Sequence, residues 1–192
     1  NFWEMNAFFR QLHVVKDKRS NVNRLVNQDF VGKQGDPNDA EIYYGQPDGS
    51  MSVAYPRFLG GQPLEHNGQV NQFDRRTELA KLVRQSDDLS RALVNRIWSH
   101  FLGYGFTRPI DDMGHHNPAS HPKLLEHLAQ QFSAHNYDMK DLFRWIALSD
   151  AFALSSRLSS TNELDTPELG EIPYFSRYYM RPMQPEEVYQ SL

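Results

Sequence analysis

Apolar positions along this chain change their spacing near residue 74, and that change predicts its architecture. From Asp74 onward they fall three and four apart, the period of a helix with one face turned inward. A first helix is predicted from Asp74, as N-cap, through Val83, with Leu79, Leu82 and Val83 inward. Ser86 or Asp87 caps the next, over 89–102, where Leu89, Leu93, Ile97 and Phe101 run beside Val94, Trp98 and Leu102. Gly103 fits its left-handed end. A loop over 104–120 follows. Ser120-His121-Pro122 then opens a helix to about His135 through Leu124, Leu125, Leu128 and Phe132, with Ser120 as the better cap. Lys123 stands where a capping-box Glu would be. Asn136-Tyr137-Asp138 breaks the pattern, and Leu142, Phe143, Ile146 and Ala147 carry a further helix to Phe152.

Before residue 74 the pattern is looser. Phe2, Met5, Phe8, Phe9 and Leu12 are helically spaced, so 1–13 reads as a helix. Residues 16–40 are polar and read as a long loop. Ile42–Tyr44 and Met51–Tyr55 flank Gln46-Pro47-Asp48-Gly49, a hairpin signal. Residues 56–71 and 155–183 are turn-rich. The expectation is a mainly α protein: a helical domain with long irregular loops and one small β-hairpin. The first segment resembles a helix already under way, and Gln184-Pro185-Glu186-Glu187 resembles a helix start close to the last residue, so more sequence is expected in a parent protein.

Composition narrows the function classes. The formal charge is −4, which gives no electrostatic reason to expect nucleic acid or anionic membranes as partners. No stretch approaches the ~18 apolar residues of a membrane span. With no cysteine, the chain has no disulfide, thiolate nucleophile, zinc–thiolate site or covalent haem attachment. It has no G-x-S-x-G elbow, phosphate loop or dinucleotide fingerprint.

The chemistry-bearing residues concentrate between 108 and 121. Asp111, Asp112, His115, His116 and His121 put two carboxylates and three imidazoles within eleven residues. Asp and His together suit Zn, Mn or Fe, so a divalent metal is the cofactor this cluster would take. No H-E-x-x-H or calcium loop accompanies them, and such aspartates more often cap turns or pair with arginine. Asn95 and Arg96, with Trp98 and His100, are a second candidate, on the side of their helix away from its main apolar face. Arg96 paired with Asp111 or Asp112 would staple helix to loop or steer an anion. His66, His127 and His135 read as ordinary surface histidines. Tyr43, Tyr44, Tyr55, Tyr174, Tyr178 and Tyr179 offer rings that could stack on sugars, or pack a hairpin and rim.

Several of these stretches together resemble a known family. Pro56-Arg57-Phe58-Leu59-Gly60-Gly61, Asp74-Arg75-Arg76, Arg91-Ala92-x-Val94-Asn95-Arg96-x-Trp98, Phe101-x-Gly103-x-Gly105, Asp111-Asp112-x-Gly114 and Ser120-His121-Pro122-x-Leu124-Leu125 occur in this order. Lys140-x-Leu142-x-Arg144-x-Ile146, Ser149, Ser155-Ser156 and Arg181-Pro182-Met183 follow. The set resembles the planctomycete-type domain of unknown function fifteen-fifty-three over about 56–192. Residues 1–13 resemble the tail of its companion upstream domain, so 1–55 is expected to be the tail of a preceding domain. The resemblance implies an exported, multidomain parent, often carrying c-type cytochrome domains, and no transferable activity. Met113 replaces a usual Phe, and His115-His116 replaces small residues, so a histidine metal site would be peculiar to this chain.

Three functional expectations stand. The first is a non-catalytic scaffold or binding domain, serving an electron-transfer or polysaccharide-handling assembly, with Asn95, Arg96, Asp111 and Asp112 as its polar network. In this reading the fragment needs no cofactor. The second is a metal-dependent hydrolase or oxidoreductase using the Asp111–His121 loop. The third is an interaction module whose partner is the rest of the parent or another protein.

Overall fold

The computed structural model describes residues 2–17, 21–32, 34–65 and 67–192. The chain divides into two compact units, 1–85 and 86–192. Among the described residues helices dominate, accompanied by two small two-stranded antiparallel sheets.

The first unit differs from the sequence expectation at its start. Helix α1 covers only Phe2–Asn6, and a tight 3-10 turn continues it over Ala7–Phe9. The chain then extends as β1, Leu12–Lys16, which pairs with β2, Asn23–Asn27. The predicted helix over 1–13 is therefore cut short, and part of the predicted loop over 16–40 is a strand. The β-branched pair Val14-Val15 favours extension, and β2 supplies the backbone partners. The expected hairpin is present as β3, Ile42–Gly45, with β4, Met51–Ala54, joined by a turn in which Gly49 has φ +85°. Among the described residues there are thus two antiparallel strand pairs where one hairpin was predicted. Helix α2, Arg75–Gln85, closes the unit.

Ala7, Phe8, Ala40, Ile42 and Ala54 form the buried apolar centre of this unit. Two polar side chains do much of the remaining work. Gln11 is fully buried, and its amide donates to the carbonyls of Gly68 and Phe73, both at 2.9 Å. Its oxygen accepts the Arg75 backbone N–H at 2.9 Å. Arg75, also fully buried, donates to the carbonyls of Ala7 and Ala40. Burial lowers its pKa to about 10, so it remains charged at neutral pH. These bonds satisfy backbone groups of an irregular segment that no ladder pairs. Asp74 caps α2 by accepting from the N–H groups of Arg76 and Thr77, both at 3.1 Å.

The second unit is built on α3, Asp87–Leu102, with α4, Pro122–Ala134, and α5, Met139–Ala147, packed beside it. A short α6, Asp150–Ala153, and the terminal α7, Pro185–Ser191, complete its helices. Ser86 caps α3, and Gly103 ends it at φ +86°. Asp138 caps α5 by accepting from the N–H groups of Lys140 and Asp141. At α4 the cap residue is His121, and no side chain caps the end, so Ser120 does not take the predicted role. The core joins Val94, Trp98, Leu102, Phe106, Leu125, Phe132, Leu142 and Ile146. Each such side chain stabilises the unit by about 1.5–3 kcal/mol on burial. On α3 the deepest row is Val94, Trp98 and Leu102, while Leu93, Ile97 and Phe101 are half-buried at its edge.

Candidate functional site

Asn95 is the centre of the polar cluster. It is fully buried, which corrects its expected place on the outer side of α3. Positions 95, 98 and 102 lie within one helical face at spacings of three and four, so Asn95 joins the row of Trp98 and Leu102. Its amide nitrogen donates to Thr107 Oγ1 at 2.8 Å and to the Ile110 carbonyl at 2.9 Å. Its oxygen accepts the Phe106 N–H at 2.6 Å. Phe106 stacks on Trp98 with ring centroids 4.7 Å apart, so one side chain folds the start of the 104–120 loop onto the helix. Gly105 makes that approach feasible. A Cβ there would lie 2.8 Å from Asn95 Oδ1.

The neighbouring candidates sit further out. Arg96 donates to Asp111, but both side chains are exposed, at 60% and 77%. The pair is a surface contact and not a buried staple. Asp112 does not meet Arg96. One of its oxygens lies 2.9 Å from His116 Nε2, and its backbone carbonyl accepts from Asn117 at 2.7 Å. His115 is exposed. His121 lies apart from these, half-buried, with its ring centroid 5.4 Å from Phe175 and 6.3 Å from Phe106. Its Nδ1 is 3.0 Å from Ser120 Oγ. Burial lowers its pKa, and the Asp165 carboxylate partly opposes that shift. Among the described residues no three His, Asp or Glu side chains are grouped to hold a metal ion. A cavity of about 240 Å3 borders the loop at Thr107, Arg108 and Asn117, and none of the two aspartates and three histidines lines it. His66 lies outside the described residues.

A second polar centre escaped the sequence reading. Asp165, 1% exposed, accepts from the Tyr174 and Ser176 N–H groups at 3.1 and 2.9 Å, from Ser176 Oγ at 2.7 Å, and from the Tyr179 hydroxyl. Burial would raise this carboxyl, but the hydrogen bonds from Tyr179, Ser176 and Tyr174 outweigh it and hold the pKa below the ordinary value. Burial, and then Asp165 itself, pushes the Tyr179 phenol well up. Arg177 donates to the Asp165 carbonyl at 3.0 Å and to both oxygens of Glu168 at 2.6 and 2.8 Å. Arg108 reaches from the 104–120 loop to the Pro167 carbonyl at 2.6 Å. Within residues 155–183, read as turn-rich, one buried carboxylate thus gathers the 174–179 segment. The only sequence signal is Asp165 placed ahead of a Tyr-, Ser- and Arg-rich stretch, and nothing in that spacing marks it as buried.

The six tyrosines are divided between the two units. Tyr43, Tyr44 and Tyr55 belong to the first unit, while Tyr174, Tyr178 and Tyr179 belong to the second. No described helix is long and apolar enough to cross a membrane.

Residues 75–192 match the family model PSD1, described as a protein of unknown function (DUF1553). No curated protein and no solved structure matches the chain.

Proposed function

The chain belongs to the PSD1 family, DUF1553, and on that premise we propose that its helical unit is a non-catalytic scaffold domain. Export, and a multidomain parent that keeps company with c-type cytochrome domains, enter this reading from the family resemblance alone. One observation carries the scaffold role: the buried polar groups of the cluster are turned inward. Asn95 spends its hydrogen bonds on the 104–120 loop, and Asp165 spends its own on the 174–179 segment. A catalytic centre would keep a polar group directed into a cleft where substrate could reach it. The charged groups of the cluster pair with one another nearer the surface, Arg96 with Asp111 and Asp112 with His116.

The test contrasts two neighbours on α3. Asn95→Ala strands the Phe106 N–H, which costs about 1–3 kcal/mol, and takes one of two donors from the Ile110 carbonyl, which keeps Thr107 Oγ1, so a clear fall in melting temperature is expected. Arg96→Ala breaks an exposed pair worth at most about 1 kcal/mol and should melt close to the parent. Equal melting of all three proteins removes the basis of the reading. Elemental analysis of the purified chain before and after chelation adds a second check. Near-stoichiometric metal that is lost in Asp112→Asn would replace the scaffold with a metal site.

A further inference from the structure

The first unit contains a cleft of about 440 Å3. Trp3, Asn6 and Arg10 are among the residues that line it. Their spacing of three and four puts them on one face of α1 and the turn that continues it. Asp39, Glu41 and Tyr43 also line the cleft. The Arg10 guanidinium lies 5.0 Å from the Phe30 ring centroid, and it forms no salt bridge with a described residue. Glu41 accepts the Tyr43 hydroxyl at 2.6 Å and the Tyr55 hydroxyl at 2.8 Å, which fixes the Tyr43 ring at the rim. Trp3 stacks on Tyr44 with centroids 5.2 Å apart and 16° between planes, which holds the indole in place.

We infer that this cleft binds a neutral sugar ring of an oligosaccharide chain. Each sugar hydroxyl both donates and accepts, and the cleft supplies both kinds of partner. Arg10 and the Asn6 amide donate, while Asp39 and the Asn6 carbonyl accept. The exposed Tyr43 ring gives a flat apolar surface that the C–H face of a pyranose covers. Charge weighs against an anionic ligand, which Asp39 and Glu41 oppose, and Arg10 weighs against a cationic group placed beside it; the mixed donors and acceptors match the hydroxyls of a neutral ring. The site lies wholly in residues 1–85 and is independent of the scaffold reading for 86–192.

The experiment is calorimetric titration, with saturation-transfer NMR, of the full chain against cellotetraose, xylotetraose and mannotetraose. A galacturonate trimer and glucosamine serve as the anionic and cationic comparisons. At least one neutral tetraose should bind saturably, with saturation transferred to its ring protons. Asp39→Ala and Arg10→Ala should each weaken that binding about tenfold or more, the loss expected for one charge-assisted hydrogen bond. Both side chains are exposed, so both variants should keep the parent melting temperature. A neutral tetraose that binds equally well to both variants overturns the assignment. So does preference for a charged comparison, and so does no binding by any neutral tetraose at millimolar concentration.

Discussion

Single atoms decide how the 104–120 loop meets its helix. Gly105 sits where an added Cβ would be 2.8 Å from Asn95 Oδ1 and 3.3 Å from the Thr107 carbonyl. Real Cβ atoms do not tolerate the first distance, and Asn95 cannot retreat without releasing three hydrogen bonds. Gly105→Ala should therefore destabilise by about 1–3 kcal/mol, read in a urea melt, whereas Gly60→Ala, in open space, should show only the strain of its positive φ. A comparable case is Tyr179→Phe. It removes one donor from the buried Asp165 and the acceptor of the Phe175 N–H, found at 2.8 Å. About 1–3 kcal/mol should be lost, with the near-ultraviolet circular dichroism of the surrounding aromatic cluster reporting the change. The two sites were unequally legible. Asn95 stood out in sequence beside Arg96 as a polar residue read on the side away from the apolar face of its helix, and its burial within that face was not legible. Asp165 had no such frame, because its donors are backbone groups and hydroxyls of an aperiodic segment.

Elements with local signals were readable, and those held only by partners were not. Asp138 follows a break in helical period and precedes Leu142 and Ile146, and its carboxylate accepts the N–H groups of Lys140 and Asp141 at 2.8 and 3.3 Å. Asp138→Ala should cost about 1 kcal/mol, measured by thermal denaturation, and Asp138→Asn should recover most of it. Ser86 and Gly103 were legible for the same reason, since caps depend on residues adjacent in sequence. The β1–β2 hairpin left no comparable trace. Of the β1 residues, only Leu12 is partly buried and the rest are exposed, and in β2 only the last two are partly buried. Strands with no buried face carry no alternation of apolar and polar residues. The helical spacing of Phe2, Met5, Phe8 and Phe9 then masked the turn to extension at Leu12. His121 shows the opposite error. Ser120 is a good cap residue by type, but its hydroxyl lies beside the imidazole, leaving the start of α4 without a side-chain cap.

Across the whole molecule, the folded state holds several acidic groups more firmly deprotonated than the unfolded chain does. Burial would raise the carboxyls of Asp74 and Asp165, yet hydrogen bonds lower both: Thr77, Asn27 and Arg76 act on the first, and Tyr179, Ser176 and Tyr174 on the second. Arg181 and the Gln184 N–H bring Glu187 to about 2. A group with a lowered folded pKa takes up protons first in the unfolded chain. Its stabilisation is therefore complete above the unfolded value, near 4 for a carboxyl, and is lost as pH falls toward the folded value. His121, lowered by burial, follows the same sign from about 6.5 downward. The melting temperature should thus decline gently below pH ~6.5 and steeply below pH ~4. His121→Gln should flatten the gentle part. Asp165→Asn should lower stability at neutral pH and reduce the steep part, so its melting curve converges on the parent's in acid. A parent melting temperature that stays level down to pH ~3 would mean that these hydrogen bonds do not stabilise the ionised carboxylates. The buried Asp165 centre, which gathers the 174–179 segment, would then need a different account.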